Sequence, residues 1–232
     1  MALVQDLTVL LQQCSLRVHA SDSFSWRDVS SGVFTVKSCY ERFKTYLSGP
    51  PLNAGLVKEA SYLWNVKAPA KILFFGWRII HNRIATKDQL FKRGVLVDVN
   101  DLMCVLCMKK EETLLHLIGG CEITSRIWRR VFHWIGHGLE LSFDEFVGFF
   151  ASCGKVKSLI KRTIAAVIWL ATAWCLWLKR NACIFRKELF SFSECMSEII
   201  LSSWNWLLSF YKLGVLCNYH TWNILPLLCF EC

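Results

Sequence analysis

The stretch CVLCMKKEETLLHLIGGC, residues 104–121, carries three cysteines and one histidine at spacings typical of a metal site. Cys104 and Cys107 have two residues between them, so a tight turn can direct both sulfurs to one point. His116 follows after eight more residues and Cys121 after a further four. Three thiolates and one imidazole form a closed tetrahedral donor set for zinc. The spacing therefore predicts one structural Zn2+ per chain.

Two alternatives to this ligand set stay open. A Cys-x2-Cys pair alone is weak evidence in a chain with twelve cysteines, and reduced core cysteines beside a surface histidine would give the same pattern. His133 and His137 lie close by in the sequence and are fallback ligands, although we expect each at the surface or beside the ligands. The start of the chain carries Asp6 and lacks the basic region of a secretory signal. We therefore expect reduced cysteines and a protein that is not secreted.

The positive charge of the chain is concentrated around the cysteine-rich stretch. The net charge is +9, and residues 61–135 hold twelve basic and six acidic side chains, a net +6. Such an excess suits a polyanionic partner. The candidate phosphate-binding residues are Lys109, Lys110, Arg126, Arg129 and Arg130. Trp77, Trp128 and Trp134 are candidates for stacking on unpaired bases of RNA or single-stranded DNA, although their helical spacing also fits the core.

The composition is unusually apolar, with 54% hydrophobic and 19% charged residues, against about 45–50% and 25% in ordinary globular chains. It excludes a disordered chain and indicates either a membrane protein or a surface normally buried against something larger. Residues 163–178 are apolar apart from two threonines. As a helix they would rise about 24 Å, less than the roughly 30 Å hydrocarbon core of a bilayer. We expect a buried core helix, with membrane insertion as the less favoured alternative.

The periodicity of the sequence predicts a mainly α-helical protein with a short N-terminal β-hairpin. The hairpin is expected at residues 22–36, around Ser30-Ser31-Gly32. Ser38 is expected to cap the helix that follows, with Glu41 completing a capping box. The predicted helices are at residues 1–20, 39–43, 72–80, 87–93, 125–135, 163–178 and 193–210. The predicted domains are an N-terminal helix and hairpin segment (1–60), a small zinc-stabilised helical domain (61–135) and a hydrophobic helical tail (136–232).

In its cysteine and histidine spacing and in the motifs around it, the chain resembles the zinc-binding domain of plant reverse transcriptases. That domain lies in the C-terminal part of polyproteins of LINE-type non-LTR retrotransposons. The resemblance rests on the order of its motifs, which are Trp26, Gly32–Tyr40, Leu63-Trp64, Lys67–Lys71, Phe75–Trp77, Arg83–Thr86, Leu90, Arg93-Gly94, Glu111-Glu112, His116-Leu117, Cys121, Trp128, Trp177–Asn181 and Ile184-Phe185. It implies zinc as the cofactor, the polymerase portion of a retrotransposon protein as a partner, and a nuclear or cytoplasmic location.

The resemblance implies a parent that copies RNA into DNA, but the residues here predict no enzyme. Polymerase and ribonuclease H chemistry need clustered carboxylates that hold two metal ions. The close acidic pairs are Asp98/Asp101, Glu111/Glu112 and Asp144/Glu145, and none has a Tyr-x-Asp-Asp context. We expect them to be solvated loop or helix-end acids. The sequence therefore predicts either a nucleic-acid-binding module or a purely structural and interacting remnant of a reverse transcriptase.

Overall fold

The computed structural model describes residues 24–46, 54–136, 159–211 and 218–226. It divides the chain into two compact units, Met1–Pro51 and Leu52–Cys232. The described part is mainly helical, as predicted. Its helices are α1 Val36–Tyr46, α2 Ala54–Asn65, α3 Ala70–Ile80, α4 Lys87–Lys92, α5 Glu122–Ile135, α6 Leu159–Asn181, α7 Phe192–Tyr211 and α8 Tyr219–Ile224. A 3-10 turn at Val99–Leu102 and π-helical turns at His116–Gly120 and Ala182–Arg186 complete the regular structure.

The predicted β-hairpin at residues 22–36 is wrong, because residues 24–36 contain no strand. The Trp26 N–H donates to the Gly32 carbonyl at 2.7 Å, and the Gly32 N–H donates to the Val29 carbonyl at 3.0 Å. These bonds close a compact loop. The Trp26 ring meets the Phe34 ring edge-on, with the centroids 5.0 Å apart. The apolar residues therefore pack across a loop, and Val36 begins a helix instead of ending a strand.

Helix α1 exists where a helix was predicted, but its cap lies three residues earlier. The Ser38 N–H donates to Thr35 Oγ1 at 3.0 Å, and the Thr35 N–H donates to Ser38 Oγ at 3.2 Å. This reciprocal pair is a capping box with Thr35 at the N-cap. Glu41 lies opposite Lys44 instead, at 3.7 Å. The helix predicted at residues 1–20 lies outside the described residues.

The second unit has one hydrophobic core to which six helices contribute. Each helix supplies at least one side chain with no exposure, and these are Leu63 of α2, Ile72 of α3, Ile127 of α5, Ile168 of α6, Ile199 of α7 and Trp222 of α8. Helix α6 is buried on most sides and packs against α3 and α7. Residues before and after position 136 thus share this core. The predicted division at 60/61 and 135/136 stays a prediction.

Within the described residues, one helical stretch, Arg162–Arg186, is long and apolar enough to cross a membrane by length and composition. Of its most apolar window, 61% is buried inside the protein. Burial of this extent favours the interpretation of residues 163–178 as a core helix, since a spanning helix would turn much of its apolar surface to lipid.

Candidate metal centre

The zinc loop comprises residues 104–121. A short backbone ladder shapes its first part, residues 104–116. Met103 and Glu111 form an isolated antiparallel bridge, and the Cys104 N–H donates to the Lys110 carbonyl at 2.8 Å. The Met108 N–H donates to the Cys104 carbonyl at 2.8 Å, and Met108 takes a positive φ of 53°. The chain therefore turns tightly between residues 104 and 108, which is the turn that the Cys-x2-Cys spacing predicted.

The other two ligands are placed by a π-helical turn and a helix start. The His116 N–H donates to Thr113 Oγ1 at 3.1 Å, and the Cys121 N–H closes the turn by donating to the His116 carbonyl at 2.7 Å. Cys121 is the N-cap residue of α5. The ligand that ends the zinc loop thus also begins the helix that carries the arginines.

The four donor groups meet at one point. The Sγ atoms of Cys104, Cys107 and Cys121 and a ring nitrogen of His116 all lie within 4.8 Å of one another. The Cys107 Sγ and His116 Nε2 are 3.3 Å apart. Tetrahedral Zn–S and Zn–N bonds of about 2.3 and 2.0 Å require donor separations of about 3.5–3.8 Å. The residues fit one zinc ion, and in the described part of the chain no other group of three or more Cys, His, Asp or Glu donors gathers in this way.

The two fully buried cysteines of the site, Cys104 and Cys121, are hydrogen-bonded to each other. A hydrogen bond from Cys104, together with the backbone N–H groups of Ile123 and Thr124, lowers the pKa of Cys121 to about 5 despite burial. The same bond with Cys121, and then burial, raises the pKa of Cys104. The position of Cys121 at the start of α5, where the helix dipole favours negative charge, also favours the thiolate form that binds metal. The fallback ligand His133 is exposed on α5, and His137 lies outside the described residues.

One of the acids expected in solvent is instead buried. Glu111 is exposed as expected, but Glu112 has no exposure. Its carboxylate accepts hydrogen bonds from Arg180 of α6 and from the Lys87 N–H at the start of α4. The prediction for Glu112 was wrong because its cationic partner lies 68 residues away. Asp98 and Asp101 are exposed, as expected, and the pair at 144 and 145 lies outside the described residues.

The five predicted phosphate-binding residues are all exposed, and they are Lys109, Lys110, Arg126, Arg129 and Arg130. Lys109 Nζ binds Glu122 Oε2 at 2.6 Å, and this contact joins the zinc loop to the first turn of α5. The Arg126 guanidinium lies over the Phe192 ring, 5.7 Å from its centroid.

Two of the three candidate stacking tryptophans belong to the core. Trp128 is buried, and its Nε1 donates to the Ile118 carbonyl at 2.6 Å. Trp134 is also buried, and its Nε1 donates to the Trp222 carbonyl at 3.1 Å. Trp77 is half-buried and stacks on Phe74. Neither Trp128 nor Trp134 is accessible to a nucleobase in this fold.

Comparisons with known proteins agree with the site. Residues 34–128 match the family described as zinc-binding in reverse transcriptase. A protein of Arabidopsis thaliana with the curated name "Putative ribonuclease H protein" is 27% identical over 112 residues, which are 48% of this chain and 17% of that relative. The chain therefore matches less than a fifth of the relative's length. No solved structure matches the chain.

Proposed function

From the premise that residues 34–128 are a zinc-binding domain of the reverse-transcriptase type, we propose that the chain is a non-catalytic module that binds RNA or single-stranded DNA. The observation that carries the proposal is the exposure of five basic residues around the metal centre. These residues, Lys109, Lys110, Arg126, Arg129 and Arg130, are called the basic face below.

The arrangement of the basic face supports contact with a phosphate backbone. Arg126, Arg129 and Arg130 stand at i, i+3 and i+4 of α5, so they share one side of the helix. The bond from Lys109 to Glu122 holds the zinc loop at the start of that helix, four residues before Arg126. Side chains in such a row neutralise successive phosphates and release counterions.

The zinc ion would act in this module by fixing where the basic residues stand. Zn2+ held by four protein donors contributes folding free energy and leaves no open coordination position. Cys121 begins the helix of the three arginines, and Cys107 lies two residues before the first of the two lysines. The ligands of this chain thereby set the spacing between the lysine and arginine parts of the basic face.

The non-catalytic part of the proposal is supported by what the acids of the chain do. Two-metal nucleic-acid chemistry needs several carboxylates around one point. Glu112 is engaged in an ion pair, and Asp98 Oδ1 accepts from the Asn100 N–H at 2.8 Å. The named ribonuclease H relative extends far beyond the segment that this chain matches.

An alternative function, a scaffold that packs on a polymerase and binds no nucleic acid, is favoured by exposed apolar side chains. Phe185 and Leu189, after α6, are 76% and 95% exposed, and Phe74 of α3 is half-exposed. Large apolar side chains of this kind mark interaction surfaces when they lie together.

The test is binding of fluorescent single-stranded RNA to zinc-loaded protein over a series of salt concentrations. Arg129→Glu with Arg130→Glu is expected to weaken binding at least about tenfold and to reduce the slope of log K against log salt by about 1.4, or 0.7 per lost phosphate contact. The matched control, Arg27→Glu with Lys37→Glu, makes the same charge change at exposed positions of the other unit and should leave most of the affinity. Absence of binding at low salt would contradict the proposal and favour the scaffold.

A further inference from the structure

The zinc loop is joined to α6 by a buried ion pair that the proposed function does not use. Glu112 stands in the loop between Cys107 and His116 and has no exposure, while Arg180 near the end of α6 is 3% exposed. Arg180 Nε donates to both carboxylate oxygens at 3.1 Å, and Arg180 Nη2 donates to Oε1. A fork of this kind fixes both the distance and the orientation of its partner.

The Glu112 end of the ion pair is held by further hydrogen bonds of its side chain and its backbone. Glu112 Oε1 also accepts from the Lys87 N–H at 3.1 Å. The Glu112 N–H donates to the Leu102 carbonyl at 2.7 Å, and the Glu112 carbonyl accepts from the Asp88 N–H at 3.2 Å. The glutamate thereby ties together the zinc loop, the start of α4 and the end of α6.

The guanidinium end is equally well held. Arg180 Nη1 donates to Asn181 Oδ1 at 2.9 Å, and the guanidinium lies over the Trp177 ring at 4.9 Å from its centroid. Because both contacts are made within α6, the Arg180 guanidinium is fixed relative to this helix and moves with it. A buried polar network with satisfied partners is rigid and specific.

Two ligands of the metal are one hydrogen bond away from the neighbours of Glu112. Thr113, the next residue, accepts the His116 N–H through Oγ1 at 3.1 Å. Lys110, two residues earlier, accepts the Cys104 N–H through its carbonyl at 2.8 Å. A displacement of Glu112 would therefore move the backbone that orients His116 and Cys104.

We infer that Arg180 is a positioning residue of the zinc centre, acting through Glu112, although it lies well beyond residue 128, where the family match ends. Docking of α6 holds the zinc loop in the geometry that binds the metal. By thermodynamic linkage, the metal in turn stabilises the docking of α6 to the same extent. This inference concerns the metal centre and is independent of nucleic-acid binding.

The first test replaces both charges, because removal of one would leave the other buried and unpaired. The double variant Glu112→Leu, Arg180→Met is expected to fold and to bind zinc about 10- to 100-fold more weakly by chelator competition, in the range for residues that orient metal ligands. Its Co2+ complex should show an altered ligand-field absorption. The control Arg186→Met removes an exposed arginine that is paired with Glu188, and it should bind zinc like the unmodified chain.

Two results of this test would overturn the inference. One is a double variant that folds and retains both the zinc affinity and the Co2+ spectrum of the unmodified chain, since the pair would then serve folding alone. The other is a double variant that fails to fold in excess zinc, because positioning would then not be separable from stability.

The second test needs no variant. Removal of zinc by a chelator is expected to raise the hydrogen-exchange rates of amides at residues 177–181 at least tenfold. Amides of α1, in the other unit, should exchange at unchanged rates. If the protection of residues 177–181 is the same with and without zinc, α6 and the metal centre are not coupled.

Discussion

At the scale of single residues, the neighbours of the buried cysteines separate them by role. Cys104 and Cys121 are hydrogen-bonded to each other, and this bond lowers the pKa of Cys121 and raises that of Cys104. Cys175 of α6 and Cys195 of α7 are buried among apolar side chains, and burial raises the pKa of Cys175 to about 12 and that of Cys195 as well. These two remain thiols at physiological pH and act as small core residues.

Loss of one zinc ligand should lower the zinc affinity far more than loss of a cysteine outside the site. Cys107→Ser removes one of four zinc donors, and a structural site worth about 10–16 kcal/mol loses roughly a quarter of that, or about 100- to 1,000-fold in affinity. Chelator competition measures it. Cys183→Ser, at a half-buried cysteine outside the site, is the control and should change nothing. Equal affinities for the two variants would remove Cys107 from the ligand set.

The spacing of the residues predicted the ligands but not what supports them. Cys104, Cys107, His116 and Cys121 are close in the sequence, so their convergence needs only one turn and one helix start. The partner of Glu112 lies 68 residues away, and no local pattern encodes that distance. The two residues of this ion pair lie in separate sequence motifs, Glu111-Glu112 and Trp177–Asn181. Only the folded structure shows that these motifs contact each other.

At the scale of elements, helices were predictable where the apolar periodicity extends over many residues. The residues at which the helices begin and end were not predictable. Thr35 and Ser38 both suit an N-cap, and their reciprocal bonds make Thr35 the cap. Val33–Val36 has the composition of a strand, yet a two-stranded hairpin is only marginally stable without a further partner. Trp26 packs on Phe34 across the loop instead, so these two side chains contact each other without strand pairing.

The approach of α3 to α6 depends on one glycine. A Cβ at Gly76 would lie 2.8 Å from Leu170 Cδ2 and 3.1 Å from Leu63 Cδ1, and both leucines have no exposure. Overpacking costs about 1–3 kcal/mol, which outweighs the gain of up to about 1 kcal/mol in helix propensity. Gly76→Ala should therefore destabilise the zinc-loaded protein by about 1 kcal/mol in urea unfolding.

The same substitution in a neighbouring helix provides the control. Gly55 lies on an exposed position of α2, so the gain in helix propensity should make Gly55→Ala neutral or slightly stabilising. A Gly76→Ala protein at least as stable as the unmodified chain would mean that the two leucines yield without cost.

At the scale of the whole molecule, the core of the second unit explains much of the apolar composition. Leu114 and Ile118 of the zinc segment belong to the same cluster as the α6 residues Ile164 and Ile168. The Trp128 and Trp169 rings lie 6.4 Å apart, so the last residue of the family match already packs on α6. The metal segment and the C-terminal helices are therefore packed as one body.

A fragment that ends before α6 should consequently fail to form this core. We expect residues 52–135 with equimolar zinc to bind ANS and to show no cooperative thermal transition in near-UV circular dichroism, because Ile118, Ile127 and Trp128 lose the helix that covers them. Residues 52–232, prepared in the same way, should melt cooperatively and bind little dye. The predicted division at residue 135 would be supported instead if the shorter fragment melted in one sharp, zinc-dependent transition, since its own helices would then suffice to bury the apolar face of α5.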